Sequence, residues 1–195
     1  MIYIIGLGNP REEYENNRHN TGALAVWNFA NNNKFAPFEI DKKLKALVSS
    51  GKIGKRILTL ILPQTFMNKS GLSLKSAITN KKKAENLVVI YDDLDIPLGK
   101  FKISYGRGSG GHKGVESIAR SIKTKDFIRI RVGIAPATPS GKVKKPKGEQ
   151  KIIDFILGDF KKKDTEKLKK VFKKVNEALE VIIKDGRQKA MNIYN

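Results

Sequence analysis

The stretch Leu87-Val88-Val89-Ile90-Tyr91 decides the predicted fold, because it is a continuous apolar run followed directly by Asp92-Asp93-Leu94-Asp95. A strand with one solvated face alternates apolar and polar residues, whereas a strand covered on both faces is apolar throughout. The run is therefore predicted to be a central strand of a parallel sheet. Ligands of such sheets bind beyond the carboxyl ends of the strands, so the acidic residues that follow become candidates for a functional site.

Strands and helices alternate along the rest of the chain, as judged from the periodicity of apolar residues. Further strands are predicted at residues 2–5, 44–50, 57–62, 101–105 and 127–134. Helices are predicted at residues 21–31, 68–78 and 150–157, around a stripe of Val115, Ile118, Ala119 and Ile122, and along an amphipathic segment from Leu168 to Ile183. This alternation predicts an α/β fold, a single domain over residues 1–195 with a central, mostly parallel mixed sheet flanked by helices.

The composition excludes several classes of protein. The chain has 195 residues, 39 Lys and Arg, 19 Asp and Glu and no Cys, so its formal net charge is +20. Without cysteine it has no disulfide framework, no Cys-ligated zinc and no thiol nucleophile. The longest apolar stretch, at residues 57–62, is far shorter than the ~20 residues of a membrane helix, and no secretory signal precedes it. We therefore expect a soluble, cytoplasmic protein with an anionic partner.

The positive charge is unevenly distributed. Residues 1–40 carry three basic and four acidic groups, whereas the rest of the chain is strongly basic. A generic lysine-rich surface would give only non-specific affinity for anions. Lysines and arginines around a near-neutral pocket would instead hold a nucleic-acid backbone. Charge alone does not separate these two interpretations.

Polar residues with catalytic potential follow the predicted strands. Asn9 follows the first strand and His19 lies ten residues later, while Asn68 and Asp92 each follow a later strand. Because the carboxyl ends of parallel strands share one edge of a sheet, we expect these four side chains to lie close together. A histidine base, a carboxylate that orients it and two neutral amides are the components needed to activate a water molecule.

Each of these residues also has a purely structural interpretation. A lone histidine before a helix is more often a cap or a packed residue than a base, and Asn20 or Thr21 suits a helix N-cap. The Asp92–Asp95 segment is consistent with turn chemistry. Met67 suits a core position, and His112 most simply marks the start of a helix.

Other catalytic motifs are absent or weak. The sequence has no Gly-x-Ser-x-Gly, no His-Glu-x-x-His and no Walker A motif. Residues 106–111 match the dinucleotide-binding pattern Gly-x-Gly-x-x-Gly, and Asp126 follows at a suitable distance for a ribose contact. A nucleotide-cofactor enzyme is therefore an alternative hypothesis, although four glycines in six residues produce this match easily by chance.

A set of spaced motifs runs through the chain in order. They are Gly6-Leu7-Gly8-Asn9-Pro10, Tyr14, Arg18-His19-Asn20-Thr21-Gly22, Pro63-Gln64-Thr65-Phe66-Met67-Asn68-Lys69-Ser70-Gly71, Asp92-Asp93-Leu94-Asp95-Ile96-Pro97, Gly110-Gly111-His112-Lys113-Gly114 and Phe155-Ile156-Leu157-Gly158. Together they resemble the motifs of bacterial-type peptidyl-tRNA hydrolases. The resemblance covers nearly the whole chain, and the spaced set is far more specific than any one motif.

The resemblance implies hydrolysis of the ester that joins a peptide to the terminal ribose of tRNA, with no metal and no cofactor. It implies that His19 is the general base and that Asp92 holds its imidazole in the basic form. It also implies that Asn9 contacts the peptide side and that Asn68 binds substrate and supports the developing oxyanion. Tyr14, Phe66, Met67 and Asn20 are the further substrate-binding residues that the motifs suggest.

Phosphate contacts of the tRNA are expected near this pocket. The candidates are Lys102, Arg107, Lys113 and Arg131, with the Pro-, Gly- and Lys-rich loop at residues 136–148 as a basic flap. Arg129 and Arg131 are alternatively interpreted as the solvated face of a strand.

The chain departs from the family pattern at three positions. Lys113 stands where an Asn is usual, Arg11 where Gly is usual and Asn17 where Thr is usual. Lys113 stands in place of an Asn that, in the family, binds substrate and positions water, and its charge is expected to lower the pKa of His19. An alternative is therefore a non-catalytic RNA-binding relative on the same fold. The family is usually monomeric, so we expect a monomer.

Overall fold

The computed structural model describes residues 1–195, which form seven strands, six α-helices and three short 3-10 helices. The strands are β1 (Ile2–Gly6), β2 (Glu39–Asp41), β3 (Ala46–Ile53), β4 (Arg56–Pro63), β5 (Leu87–Pro97), β6 (Phe101–Tyr105) and β7 (Ile128–Ala135). The α-helices are α1 (Thr21–Asn32), α2 (Lys81–Glu85), α3 (Lys113–Ile122), α4 (Glu149–Leu157), α5 (Lys162–Asp185) and α6 (Arg187–Tyr194). The 3-10 helices are Glu12–Tyr14, Arg18–Asn20 and Met67–Ser73.

All seven strands belong to one sheet, in the order β2-β3-β4-β1-β5-β7-β6. The four central strands, β4, β1, β5 and β7, are parallel, whereas β2, β3 and β6 pair antiparallel with their neighbours. This arrangement confirms the predicted α/β fold with a mixed sheet that is parallel at its centre. None of the six helices combines the length and the hydropathy that crossing a membrane requires.

Two apolar layers cover the sheet, one on each face. Helices α1 and α5 pack on one face, where Phe29, Val175 and Leu179 meet strand residues such as Ile90 and Ile130. On the other face, α3 packs on a second layer of strand residues that includes Val89 and Tyr91. Burial on both faces explains why the central run lacks the alternation of a half-exposed strand.

Strand β5 extends beyond its predicted end at residue 91 and continues to Pro97. Asp92 and Asp93 pair in register with Val132 and Gly133 of β7, so both acidic residues lie on the strand rather than in a loop. The ladder becomes irregular after Asp93. The carboxylates are therefore held by the sheet itself.

The prediction of a helix at residues 68–78 is wrong, because this segment forms only a 3-10 helix at Met67–Ser73. The reason lies in Gly71, whose backbone bonds are taken by another element. Its N–H donates to Ser117 Oγ at 3.0 Å, and its carbonyl accepts from Ser121 Oγ at 2.7 Å. These bonds to α3 replace the local bonds that an α-helix would need.

Two glycines bring α1 against the sheet and so place the residues that precede this helix. A Cβ on Gly22 would meet the Ile90 carbonyl and would lie 2.6 Å from Leu7 N, and a Cβ on Gly6 would meet the Gly22 carbonyl. The close approach lets Ala23 N–H donate to the Leu7 carbonyl at 3.0 Å. The start of α1 therefore touches Leu7 at the end of β1 and Ile90 of β5.

Gly22→Ala is expected to lower the free energy of unfolding by about 1–3 kcal/mol or more, because the added methyl must push backbone away. Urea denaturation monitored by circular dichroism measures this change. Gly108→Ala is the matched control, since a Cβ at Gly108 meets no atom within 4 Å; its effect should stay within about 0.5 kcal/mol. Equal effects of the two variants would contradict the proposed contact.

Candidate active site

The candidate site lies where β1, β4 and β5 end. Asn9 follows β1, His19 lies on the 3-10 helix before α1, Asn68 lies on the 3-10 helix after β4, and Asp92 lies on β5. Hydrogen bonds link the His19 segment to Asp92 and the Asn9 segment to Met67, the residue before Asn68. The structure thus places these segments at one edge of the sheet, as predicted.

His19 and Asp92 form a buried pair. His19 Nδ1 lies 3.0 Å from both carboxylate oxygens, and the residues are 8% and 4% exposed. An ionised carboxylate only accepts hydrogen bonds, so Nδ1 carries the proton and donates it to Asp92. The other ring nitrogen, Nε2, is then left with a lone pair. This tautomer is the one that a general base requires.

The surroundings shift the pKa of both groups. Burial lowers the pKa of His19, but the charge of Asp92 and its hydrogen bond outweigh burial, so the pKa lies above the usual histidine value. Lys113 acts in the lowering direction, as its charge predicts. Burial would raise the pKa of Asp92, yet its interactions with His19 and His112 hold that pKa below its usual range. Asp92 is therefore ionised whenever the site is assembled at neutral pH.

His112 is a further member of the site that the sequence interpretation assigns only to a helix start. It is the N-cap of α3, where its Nδ1 accepts from Gly114 N–H at 3.2 Å and from Val115 N–H at 3.4 Å. Its Nε2 lies 3.1 Å from Asp92 Oδ1. The available signal is a histidine between a Gly-Gly pair and a helix, which does not reveal the contact with Asp92.

His19, Asp92 and His112 offer ligand atoms within 4.8 Å of one another, a spacing that suits a metal ion. Their hydrogen bonds use these atoms differently. The ring nitrogens that face Asp92 carry hydrogens, because each donates to the carboxylate, and a nitrogen that carries hydrogen has no lone pair for a metal. The geometry therefore favours a hydrogen-bonded triad over a metal site.

Asn20 clamps the backbone of Asn9. Its Oδ1 accepts from Asn9 N–H at 2.8 Å, and its Nδ2 donates to the Asn9 carbonyl at 3.0 Å. Asn9 Oδ1 in turn accepts from Met67 N–H at 2.8 Å, which leaves the Nδ2 of Asn9 as the free donor. Asn20 is buried and makes no side-chain bond in the N-cap of α1. Direct substrate binding by Asn20 stays a prediction.

The substrate-binding candidates differ in exposure. Met67 is 5% exposed and its side chain packs in the core, while its backbone N–H bonds Asn9; pocket lining by its side chain stays a prediction. Phe66 is 44% exposed, beneath the Arg11 guanidinium at 5.2 Å from the ring centroid. Asn68 is exposed and Tyr14 half-buried. These three side chains remain open to a ligand.

A groove of about 440 Å³ opens beside Asn9. Trp27, Leu47 and Leu62 form its apolar part, and Arg11 and Glu12 are among its polar residues. The groove gives a ligand at Asn9 room to extend along α1.

The three carboxylates of β5 each have their own cationic or imidazole partner. Asp93 Oδ2 accepts from Arg131 Nε at 2.7 Å, and Asp95 Oδ1 lies 2.6 Å from Lys145 Nζ. Asp93 Oδ1 also accepts from Asp95 N–H at 2.7 Å, a local bond of the Asx type that Asp93 makes although it lies on β5. Lys145 belongs to the 136–148 loop, which this surface pair links to β5.

Arg129 does not belong to a solvated face, so that interpretation is wrong for it. The residue is 1% exposed, its Nη1 donates to the Gly108 carbonyl, and its guanidinium lies 5.9 Å from the centroid of the Phe127 ring. Arg131 is partly exposed, and its strand neighbour Lys102 is exposed. Lys102 and Arg131 face the same side, because they are directly paired across β6 and β7.

Arg107 lies in the loop that connects Tyr105 of β6 to His112, and its contact with tRNA stays a prediction. Strand β6 runs antiparallel to β7, and Tyr105 pairs with Ile128 at the start of β7. The loop that carries Arg107 therefore begins at the edge of the sheet opposite Asp92. The same geometry contradicts the dinucleotide hypothesis, which requires a parallel strand before the glycine-rich loop.

Arg18 attaches the site to a distant part of the chain, a role that sequence interpretation misses. Its Nη1 donates to the carbonyls of Phe155 at 3.1 Å and Gly158 at 2.9 Å, and its guanidinium lies over the Phe155 ring at 4.4 Å. The motif at residues 155–158 therefore holds the 3-10 helix that carries His19.

Lys113, the other neighbour of the site, is exposed at the first position of α3.

Comparison with known proteins agrees with this geometry. The peptidyl-tRNA hydrolase family model matches residues 3–195. The peptidyl-tRNA hydrolase of Thermodesulfovibrio yellowstonii is 39% identical over 198 residues, covering 100% of this chain and 99% of that relative. The peptidyl-tRNA hydrolase of Syntrophotalea carbinolica is 36% identical, with 100% and 97% covered.

The fold is also similar to that of a solved structure. The crystal structure of peptidyl-tRNA hydrolase from Acinetobacter baumannii has a TM-score of 0.88 at 26% identity, covering 100% of this chain and 94% of that one. Both the sequence match and the structural match run over the full length of the chain, and the chain belongs to the peptidyl-tRNA hydrolase family.

Proposed function

We propose that this chain hydrolyses the ester between the peptide and the tRNA of peptidyl-tRNA, with His19 as the general base. The observation that carries the proposal is the buried His19–Asp92 pair, with Nδ1 at 3.0 Å from the carboxylate. The pair leaves His19 Nε2 as the acceptor for a water proton. A non-catalytic RNA-binding role is not favoured, since all four residues of the implied catalytic set are present.

The reaction needs one proton to move twice. His19 Nε2 takes a proton from water as the water oxygen bonds to the ester carbonyl carbon, which gives a tetrahedral oxyanion. The carbon–oxygen bond to the ribose then breaks, and the imidazolium returns its proton to the leaving ribose oxygen. The products are a peptide carboxylic acid and tRNA with a free hydroxyl. Asp92 stabilises the imidazolium between the two transfers.

The two asparagines act on the substrate as neutral donors. Because Asn9 Oδ1 is occupied by Met67 N–H at 2.8 Å, its Nδ2 is oriented to donate to the peptide side of the ester. Asn68 is exposed on the adjacent 3-10 helix, and its amide donates to the developing oxyanion. Tyr14 and Phe66 supply partly exposed aromatic surface for the peptide and the terminal nucleotide.

His19→Ala should lower kcat by about 10²–10⁴-fold while tRNA binding is largely retained, because the base acts on water rather than on the tRNA. Release of labelled peptide from N-blocked aminoacyl-tRNA, with a chelator present, measures turnover. A filter-binding assay measures affinity for the same tRNA. Parallel loss of binding and turnover would make His19 a structural residue.

Asp92→Asn should change the pH profile as well as the rate. Only neutral His19 accepts a proton, so kcat/KM of the wild type falls as the pH drops through a pKa raised above the usual histidine value. Without the Asp92 charge, burial and Lys113 both lower that pKa, so the acid limb moves to lower pH. The loss of imidazole orientation should reduce kcat by about a hundredfold or more. An acid limb that does not move would contradict the proposed pair.

The tRNA is proposed to contact the basic residues next to the site. Lys102 and Lys113 are exposed, and Arg131 is partly exposed while its Nε donates to Asp93 Oδ2. The 136–148 loop supplies further lysines as a flap. We also propose that the chain, a single domain, works as a monomer, because one chain supplies every residue of the site. The family resemblance extends this proposal to a cytoplasmic enzyme that needs neither metal nor cofactor.

Lys102→Ala should reduce the salt dependence of tRNA binding. Each phosphate neutralised contributes a slope of about 0.7–0.9 in log K against log[salt], so the slope should fall by about that amount. Lys173→Ala, at an exposed position of α5, is the matched control and should leave the slope unchanged. Identical slopes for wild type and Lys102→Ala would remove Lys102 from the binding surface.

A further inference from the structure

We propose that His112 is a positioning residue for hydrolysis, one that fixes the Asp92 carboxylate and through it the orientation of the His19 imidazole. The inference rests on the proposed role of His19 as the base. The structure places His112 Nε2 at 3.1 Å from Asp92 Oδ1, with the histidine side chain 7% exposed. His112 thus joins the end of β5 to the start of α3.

The hydrogen bonds of His112 determine its tautomer. Backbone N–H groups only donate, so the Nδ1 that faces Gly114 N–H and Val115 N–H carries the lone pair. The proton of the neutral ring is then on Nε2, which donates to Asp92. His112 therefore supplies Asp92 with a fixed donor whose direction is set by the first turn of α3.

Asp92 needs this second donor because its contact with His19 is symmetric. His19 Nδ1 lies 3.0 Å from Oδ1 and 3.0 Å from Oδ2, so this bond alone does not set the rotation of the carboxylate plane. His112 binds only Oδ1 and removes that freedom. Because His112 fixes the Asp92 carboxylate, the hydrogen bond from His19 Nδ1 to that carboxylate has one preferred direction. The His19 imidazole is therefore held in one orientation.

Packing holds His112 in place on both sides. Its ring lies with its centroid 4.8 Å from that of Tyr91 in an edge-on arrangement, and 4.9 Å from that of His19. Gly110 and Gly111 both have positive φ, 65° and 82°, so the turn that delivers His112 depends on residues without a Cβ. Backbone and neighbouring rings therefore preorganise the contact.

Two substitutions separate the two bonds of His112. In His112→Asn, the amide oxygen takes the position of Nδ1 and keeps the α3 cap, but no donor reaches Asp92. In His112→Gln, the terminal amide nitrogen takes the position of Nε2 and donates to Asp92, but the cap is lost. Asn80→Ala, which removes the N-cap of α2 away from the site, controls for the loss of a cap alone.

The test measures kcat, KM and Tm of the four proteins with N-blocked aminoacyl-tRNA. A hydrogen bond to a charged group corresponds to about ten- to hundredfold in rate, so His112→Asn should lower kcat by that factor with little change in KM. Its Tm should also fall, because buried Asp92 loses a donor. His112→Gln should recover most of kcat despite a lower Tm. Asn80→Ala should change Tm only.

Other outcomes overturn the inference. Wild-type kcat in His112→Asn would show that the bond to Asp92 is dispensable. A loss of kcat in His112→Gln as large as that in His112→Asn would show that restoring a donor to Asp92 does not restore catalysis, which rejects the positioning role. An inactive wild-type protein would instead reject the proposed function itself, so the two failures are distinguishable.

Discussion

A buried carboxylate at the end of β5 is the constraint on which the site depends. Asp92 is 4% exposed, and an ionised group at that depth is tolerated only when hydrogen-bond donors satisfy it. His19 and His112 are those donors, and they arrive from the starts of two different helices that follow different strands. Satisfying the charge of Asp92 therefore requires the sheet and both helix starts to be in place. The same hydrogen bonds keep His19 in the tautomer that accepts a proton.

Sequence periodicity predicts much of the fold, since apolar patterns report burial directly. It places strand 101–105 at its observed bounds and α1 within one residue. It fails at residues 68–78, because the partners of Gly71 are Ser117 and Ser121, which lie far along the chain. Hydrogen bonds between residues that lie far apart in sequence produce no local periodicity. The pattern of residues 68–78 therefore cannot show that the helix is interrupted.

The same division holds in the site. The motifs identify His19 and Asp92 because their residue types and strand-end positions carry the chemistry. They do not reveal His112 as a partner of Asp92, since a histidine before a helix has the local role of a cap as well. Strand alternation also suggests a solvated face for Arg129, which is instead buried and bonded to the Gly108 carbonyl. Local sequence patterns therefore do not predict the second role of a side chain that has two.

The contact of Arg18 with residues 155–158 has a consequence for how the protein is made. The bonds to Phe155 and Gly158 span 137 and 140 positions of the chain, so the 3-10 helix of His19 is fixed by residues synthesised much later. Closing such a long loop lowers the conformational entropy of the chain before the contact can stabilise it. The residues proposed for catalysis lie between positions 9 and 112, yet the catalytic geometry is completed only when α4 has folded. During synthesis the active site is therefore among the last parts of the molecule to mature.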